Sequence, residues 1–120
     1  MEKIDNLTLD DVLELIMDFP LEPRHRDVII TVNSYEPDGN LVLSDNMFSE
    51  TQFVLSVGSH VHDLVPGQKV MLDVERMLKM VPVEGNSHEV QPQLQLRTVE
   101  VNDKVFAIVP DSYITCIDKR

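Results

Sequence analysis

The residues of this chain best suited to chemistry are His60, His62 and His88, the thiol of Cys116, and a scatter of carboxylates. His60 and His62 alternate, so a strand would turn both imidazoles to one face with Asp63 alongside. A metal pair needs at least a third ligand, for which His88 is the candidate. A solvated turn accounts for the same residues without a metal. Cys116 lies in an apolar strand beside Thr115 and Ile117, the setting of a small buried hydrophobe. A nucleophilic thiol there would need a histidine brought from elsewhere in the fold. No Gly-rich phosphate loop and no Gly-x-Ser-x-Gly elbow occurs. The aspartates and glutamates are spread as a solvated surface would spread them. The expectation is a protein that is not an enzyme, with no catalytic residue, no metal and no cofactor.

Composition narrows the partners. At 120 residues with 42% hydrophobic residues, the chain can bury a modest core of one domain. Ten Lys and Arg stand against 21 Asp and Glu, a formal charge of -11 that repels phosphate backbones, so no nucleic acid is expected. No apolar run approaches a membrane span, and Met1-Glu2-Lys3-Ile4-Asp5 does not read as a signal peptide. One cysteine cannot form an internal disulfide and suits a reducing compartment. The expected location is cytoplasmic, with no membrane partner.

The elements that must position any site begin with a helix. Leu9, Val12, Leu13 and Ile16 follow the i, i+3, i+4, i+7 spacing of one apolar stripe. Thr8 can cap its first turn, Asp10 and Asp11 suit the positive end of its dipole, and Pro20 stops it. Such a helix packs on its own domain or docks a second protein. From Asp27 onward the pattern is β. Val28 to Val32 is a β-branched run, and Phe53 to Val57 and Val70 to Val74 are two more. Leu94, Leu96, Val99 and Val101 alternate with a slip near Arg97-Thr98, which a bulge would explain. Asn102-Asp103 is a tight turn into Lys104 to Val109, and Pro110-Asp111-Ser112 turns into Tyr113 to Ile117. Val81 to Pro92 carries two prolines and a glycine and reads as a long loop or loose hairpin. The whole is a mainly β fold, a small antiparallel barrel or sandwich over residues 23–120. Residues 1–22 form an N-terminal helical extension and linker.

One apolar triplet interrupts a polar stretch. Between Glu36 and Gln52, Leu41-Val42-Leu43 is preceded by Pro37-Asp38-Gly39-Asn40 and followed by Ser44-Asp45-Asn46. Three aliphatic side chains on an exposed loop need a groove to fill. On composition alone a short barrel strand is the plainer account of them. Met47 and Phe48 either extend such a contact surface or pack back on the barrel and anchor the loop.

In order, these segments resemble the GroES-like co-chaperonins, the ring-forming lids of large chaperonins. Arg26-Asp27-Val28-Ile29-Ile30 is similar to the family's first strand, and Leu41-Val42-Leu43 to the aliphatic triplet of its mobile loop. Phe53-Val54-Leu55-Ser56-Val57-Gly58 is similar to the strand leaving that loop, and Val65-Pro66-Gly67-Gln68-Lys69-Val70 to the turn and strand that follow. Lys104 to Ile108 and Pro110-Asp111-Ser112-Tyr113-Ile114 are similar to its closing strands. Four departures stand out: one glycine, Gly39, in place of a pair; Gln68 in place of an acid; a longer Met77 to Pro92 segment; and the N-terminal helix. Eight residues between Gly58 and Gly67 leave no room for the roof hairpin of the bacterial ring, which is more like the co-chaperonins carried by phages.

The resemblance implies a GroES-like β-barrel and a co-chaperonin that caps an ATP-bound chaperonin ring and assists protein folding, in the host cytoplasm if phage-encoded. Leu41, Val42 and Leu43 would bind the chaperonin, with Met47 and Phe48 as additional loop contacts. Burying an aliphatic side chain is worth roughly 1.5–3 kcal/mol, and fixing each loop residue costs roughly 1–2 kcal/mol. One loop therefore binds weakly, and a ring presenting several loops gains by effective concentration. The chain would self-assemble as a ring, a heptamer by family pattern, in which Val28, Ile29 and Ile30 of one subunit's first strand pair with Tyr113, Ile114 and Ile117 of its neighbour's last. That pairing would cover two edge strands. The alternative is a non-enzymatic phage structural or decoration protein that uses the barrel only as a building block.

Overall fold

The structure, a computed structural model, describes residues 6–34, 49–83, 86–94 and 96–119, with the backbone alone described from 78 to 94. Helix α1 (Leu9–Met17) precedes the strands β1 (Asp27–Thr31), β2 (Thr51–Val57), β3 (Lys69–Leu72), β4 (Leu78–Val83), β5 (Asn86–Leu94), β6 (Arg97–Val101), β7 (Lys104–Pro110) and β8 (Ile114–Ile117). The fold is mainly β. Six strands form one antiparallel sheet in the order β6-β7-β1-β2-β3-β8, and β4-β5 is a separate two-stranded ribbon. The large sheet is not closed: β6 and β8 are its two ends. Among the described residues no helix is long and apolar enough to cross a membrane.

Four consecutive buried residues, Val28 to Thr31, mark β1 as a strand covered on both faces. Val28 and Ile30 point into one core with Val54, Val70, Leu72, Ala107 and Val109. Ile29 points the other way, to Leu55, Phe106 and Val12 of the helix. The ladder between β1 and β2 shifts register after Ile29, where Ile29 pairs with Ser56 but Ile30 with Val54. The skipped residue, Leu55, is a bulge that turns an extra apolar side chain toward the helix. β2 then leaves β1, and its first half (Thr51 to Phe53) pairs with β3. Asn102 and Asp103, with φ of 51° and 65°, make the two-residue turn between Val101 and Lys104. Positive φ at both positions gives a turn whose twist matches the strands it joins.

α1 begins at the expected cap. The Thr8 hydroxyl accepts from the Asp11 amide at 3.3 Å, and the Asp11 carboxylate accepts from the Thr8 amide at 3.0 Å. The backbone hydrogen bond from Thr8, then its hydroxyl, holds the Asp11 carboxyl below its ordinary value of 3.8. The buried stripe differs from the expected one. Val12, Leu15, Ile16 and Phe19 line the core, and Phe19 meets Phe106 edge to face with ring centroids 5.3 Å apart. Leu9 and Leu13 face outward at 45% and 49% exposure. Both sets satisfy helical spacing, and the larger group including Phe19 is the one that packs.

Between the two readings of Val81 to Pro92 the structure has the hairpin: Val81 to Val83 lie in β4 and Asn86 to Pro92 in β5, with Pro82 opposite Val90, Pro92 opposite Met80 and a register shift after Pro82. Two further expectations are corrected. The slip near Arg97-Thr98 is not a bulge but the interval between two strands, since β5 ends at Leu94 and β6 starts at Arg97. Val74 belongs to a 3-10 turn, Val74–Met77, rather than to β3.

Candidate functional site: a polar clamp at the root of residues 35–48

Leu41, Val42, Leu43, Met47 and Phe48 lie outside the described residues. Both chain segments that lead into and out of them are described, and they hold a buried polar cluster. Thr31 and Gln52 are the polar side chains that are fully buried among the described residues, each 0% exposed. The Gln52 carbonyl oxygen accepts from the Thr31 hydroxyl at 2.7 Å and from the Asn33 amide at 2.8 Å. Its amide nitrogen donates to the Asn33 carbonyl at 2.9 Å and to the Ser49 carbonyl at 2.8 Å. Two acceptor and two donor positions are thereby all used. The Thr31 hydroxyl in turn accepts from the Phe53 amide at 3.0 Å, and the Ser49 amide donates to the Asn33 carbonyl at 3.0 Å.

The reason for this cluster is local. The β1–β2 ladder ends at the pairing of Ile30 with Val54, and beyond it the two strands part. Backbone groups there lose their ladder partners inside the protein, and an unpaired buried amide costs about 1–3 kcal/mol. Gln52 supplies the missing partners from its side chain. It fixes the start and the return of the 35–48 segment at one point of the sheet.

A second layer ties this root to the N-terminal segment. The Asn33 side chain accepts from the Leu7 amide and donates to the Leu7 carbonyl, both at 2.9 Å. The Asn6 side chain does the same for Ser34, accepting from its amide at 2.8 Å and donating to its carbonyl at 3.1 Å. Two asparagines thus act as side-chain substitutes for a strand pairing. None of these groups titrates near neutrality or carries an activated nucleophile, so the cluster holds chain segments in place rather than reacting.

The residues expected at a subunit interface are placed as follows. Val28, Ile29 and Ile30 are at most 1% exposed, and β1 is paired on both sides, to β2 and β7. β1 is therefore not an edge strand, because a β-branched run buried on both faces is a central-strand pattern. Tyr113, Ile114 and Ile117 pack their side chains against the core that holds Val28 and Ile30. Among the described residues β8 is an end of the sheet, paired to β3 alone. The Arg76 guanidinium lies over the Tyr113 ring, 5.4 Å from its centroid, and donates to the Ser112 carbonyl at 2.9 Å.

His60 and His62 are exposed in the turn region between β2 and β3. The histidine beside His60 is His25, with ring centroids 5.4 Å apart. Among the described residues no group of three or more His, Cys, Asp or Glu is placed to hold a metal ion. Cys116 is exposed rather than buried, because β8 covers the core with Ile114 and Ile117 and turns Thr115 and Cys116 outward. Gly58 has a steric role. Its amide donates to the Asp27 carbonyl at 2.9 Å, and a Cβ there would collide with the His25 carbonyl oxygen and lie 2.8 Å from its carbon.

Sequence reasoning missed Gln52, Thr31, Asn33 and Asn6. The available signal was the termination of an apolar strand by Thr31 and Asn33, matched by Gln52 at the start of the next strand. Comparison of the chain with protein-family models and with curated proteins returns no match.

Proposed function

We propose that this protein is a co-chaperonin, a GroES-like lid whose Leu41-Val42-Leu43 segment fills an apolar groove of a large chaperonin. The observation that carries this reading is the clamp. The two polar side chains that are fully buried among the described residues gather the ends of residues 35–48 at one place. An aliphatic triplet presented from a fixed root can dock without the whole subunit being reordered. The order of motifs from Arg26 to Ile114 supports the same reading, with the six-stranded sheet as a GroES-like barrel left open between β6 and β8. In the ring, heptameric by family pattern, β1 has no free edge to give. Among the described residues of this sheet, the backbone edges open to a neighbour are those of β8 and β6.

The experiment is co-sedimentation with a purified chaperonin and nucleotide, comparing wild type with Leu41→Asp/Leu43→Asp. Binding by the wild type, lost in a variant that keeps its circular dichroism and its oligomeric state, is the expected result. No binding by the wild type refutes the lid reading and favours the phage structural protein built on the same sheet. A variant that unfolds would place the triplet in the core.

A further inference from the structure

Among the described residues six large apolar side chains are exposed, and three of them stand at i, i+4 and i+8 on one helix. Leu9, Leu13 and Met17 are 45%, 49% and 82% exposed. The fold does not need them, because α1 is already seated through Val12, Leu15 and Ile16. The stripe is continued off the helix. A Cβ on Gly67 would lie 3.3 Å from Leu13 Cδ2 and 3.6 Å from Ile16 Cδ1. The turn at Val65–Gly67 therefore abuts the helix, and it brings up Val65, itself 55% exposed.

The charges that α1 itself carries have one sign, with Lys104 near Asp11 on the side away from the stripe. At 100° per residue Asp10 and Glu14 fall on the flank beyond Met17, and Asp18 closes the helix. The last turn of α1 holds no basic residue. A second copy of the chain would bring the same carboxylates against these, and an anionic lipid surface would be repelled by a protein of charge -11. What fits is opposite charge beside an apolar ridge. We propose that the Leu9–Leu13–Met17 stripe is a docking face for a basic amphipathic helix of another protein. An i, i+4 ridge seats in the groove between the ridges of a second helix. Lysines or arginines flanking the partner's stripe would reach Asp10, Glu14 and Asp18. A contact face about 13 Å long is small, so binding is weak to moderate and falls as salt screens the rim.

The test is a titration of the full isotope-labelled chain, followed by amide chemical shifts. The probes are two synthetic amphipathic helices with the same leucine stripe, one flanked by lysines and one by glutamates. The lysine peptide is expected to shift amides of α1 and of residues 65–67, with affinity falling as salt rises, while the glutamate peptide binds at least tenfold more weakly. Met17→Gln, at an 82% exposed position, and Leu13→Gln, compared with wild type at a temperature where circular dichroism shows both folded, should each weaken the lysine peptide about tenfold. Asp10→Asn/Glu14→Gln should narrow the difference between the peptides. Equal binding of both peptides by the wild type overturns the proposal, as do shifts mapping elsewhere or unchanged affinity in the stripe variants. Self-association that Leu13→Gln abolishes overturns it too, assigning the face to a second copy.

Discussion

Replacing Gln52 by leucine keeps the volume of the side chain and removes all four of its hydrogen bonds. The Asn33 carbonyl keeps a partner, since the Ser49 amide donates to it. Three groups do not: the Thr31 hydroxyl as a donor, the Asn33 amide and the Ser49 carbonyl. At about 1 kcal/mol each, the low end for groups in a part-buried stem, they cost about 3 kcal/mol. Burial of the leucine methyls returns up to about 1 kcal/mol. Gln52→Leu should therefore lose about 2–3 kcal/mol, or roughly 8–12 °C in Tm for a chain of this length. The assay is thermal denaturation together with amide hydrogen exchange. Exchange at Asn33 and Phe53 should accelerate more than at Ile29 or Val109, which lie in the ladders. A Tm within about 2 °C of wild type would refute the accounting. So would a large loss of stability with exchange at Asn33 unchanged, since the damage would then lie elsewhere. Gln52→Glu gives the same reasoning a sign. One carboxylate oxygen would face the Asn33 and Ser49 carbonyls, two acceptors, so the folded state favours the protonated acid and raises its pKa above the unfolded value of about 4.3. The protonated form is fully present below that value in both states. The variant should sit closest to wild type near pH 4 and fall further behind as pH rises through the folded pKa. A gap that is constant or narrows with rising pH contradicts the placement.

Three other perturbations are as specific. Gly58→Ala forces the Arg24–His25 backbone away from the 58–61 turn and should cost about 2–3 kcal/mol, read by chemical denaturation; Ser59→Ala, one residue on, should be near neutral. Asp103→Gly relieves a left-handed residue, φ 65°, in the β6–β7 turn and should raise stability by about 0.5–1 kcal/mol, seen as a higher Tm. The Asp11 carboxyl is held below 3.8, so the stability it contributes is present above that value and is lost as pH falls through its folded pKa. Asp11→Asn should therefore flatten the acid limb of the stability profile below about pH 4 without altering its neutral-to-basic limb.

What was legible in the sequence follows from how local each signal is. Thr8, Asp11 and the Asn102-Asp103 turn act within four residues, and the structure has them as expected. The β1, β2 and β7 runs were readable because strands buried in a sheet are β-branched and apolar whatever their neighbours. Their neighbours were not readable. β1 pairs with β7, some eighty residues on in the chain, and nothing in Val28 to Val32 announces whether one edge or both are taken. The helix failed differently. It carries two apolar stripes that both satisfy the period, and only the presence of Phe106 opposite Phe19 decides between them. Pro82 and Pro92 left a loop and a loose hairpin both open, and the hairpin holds because, among the described residues, each strand of the two-stranded ribbon has one side free, so a missing amide need break no ladder bond. Cys116 was misplaced for the same reason of edges: β8 is covered on one face only, and the thiol points away from it.

The clamp was hidden because its parts are unremarkable singly and lie in three segments. Its logic appears once the strands are seen to part. A segment inserted between two central strands must leave the sheet through a part-buried region, and the ladder bonds given up there need substitutes. Gln52 bonds to its own strand's entry and to the opposite stem, while Asn33 passes the connection to Leu7 just ahead of the Thr8 cap. The start of α1 and the root of residues 35–48 are thus one hydrogen-bonded unit. If the cap is lost, the Leu7–Asn33 bonds lose the helix that orients them; if Gln52 is lost, Asn33 no longer has its backbone fixed to receive Leu7. Thr8→Ala and Gln52→Leu should therefore destabilise the protein by less together than the sum of their separate effects, because each removes part of what the other relies on. Strict additivity in that double-mutant cycle would separate the helix from the loop root and leave the clamp as two independent anchors.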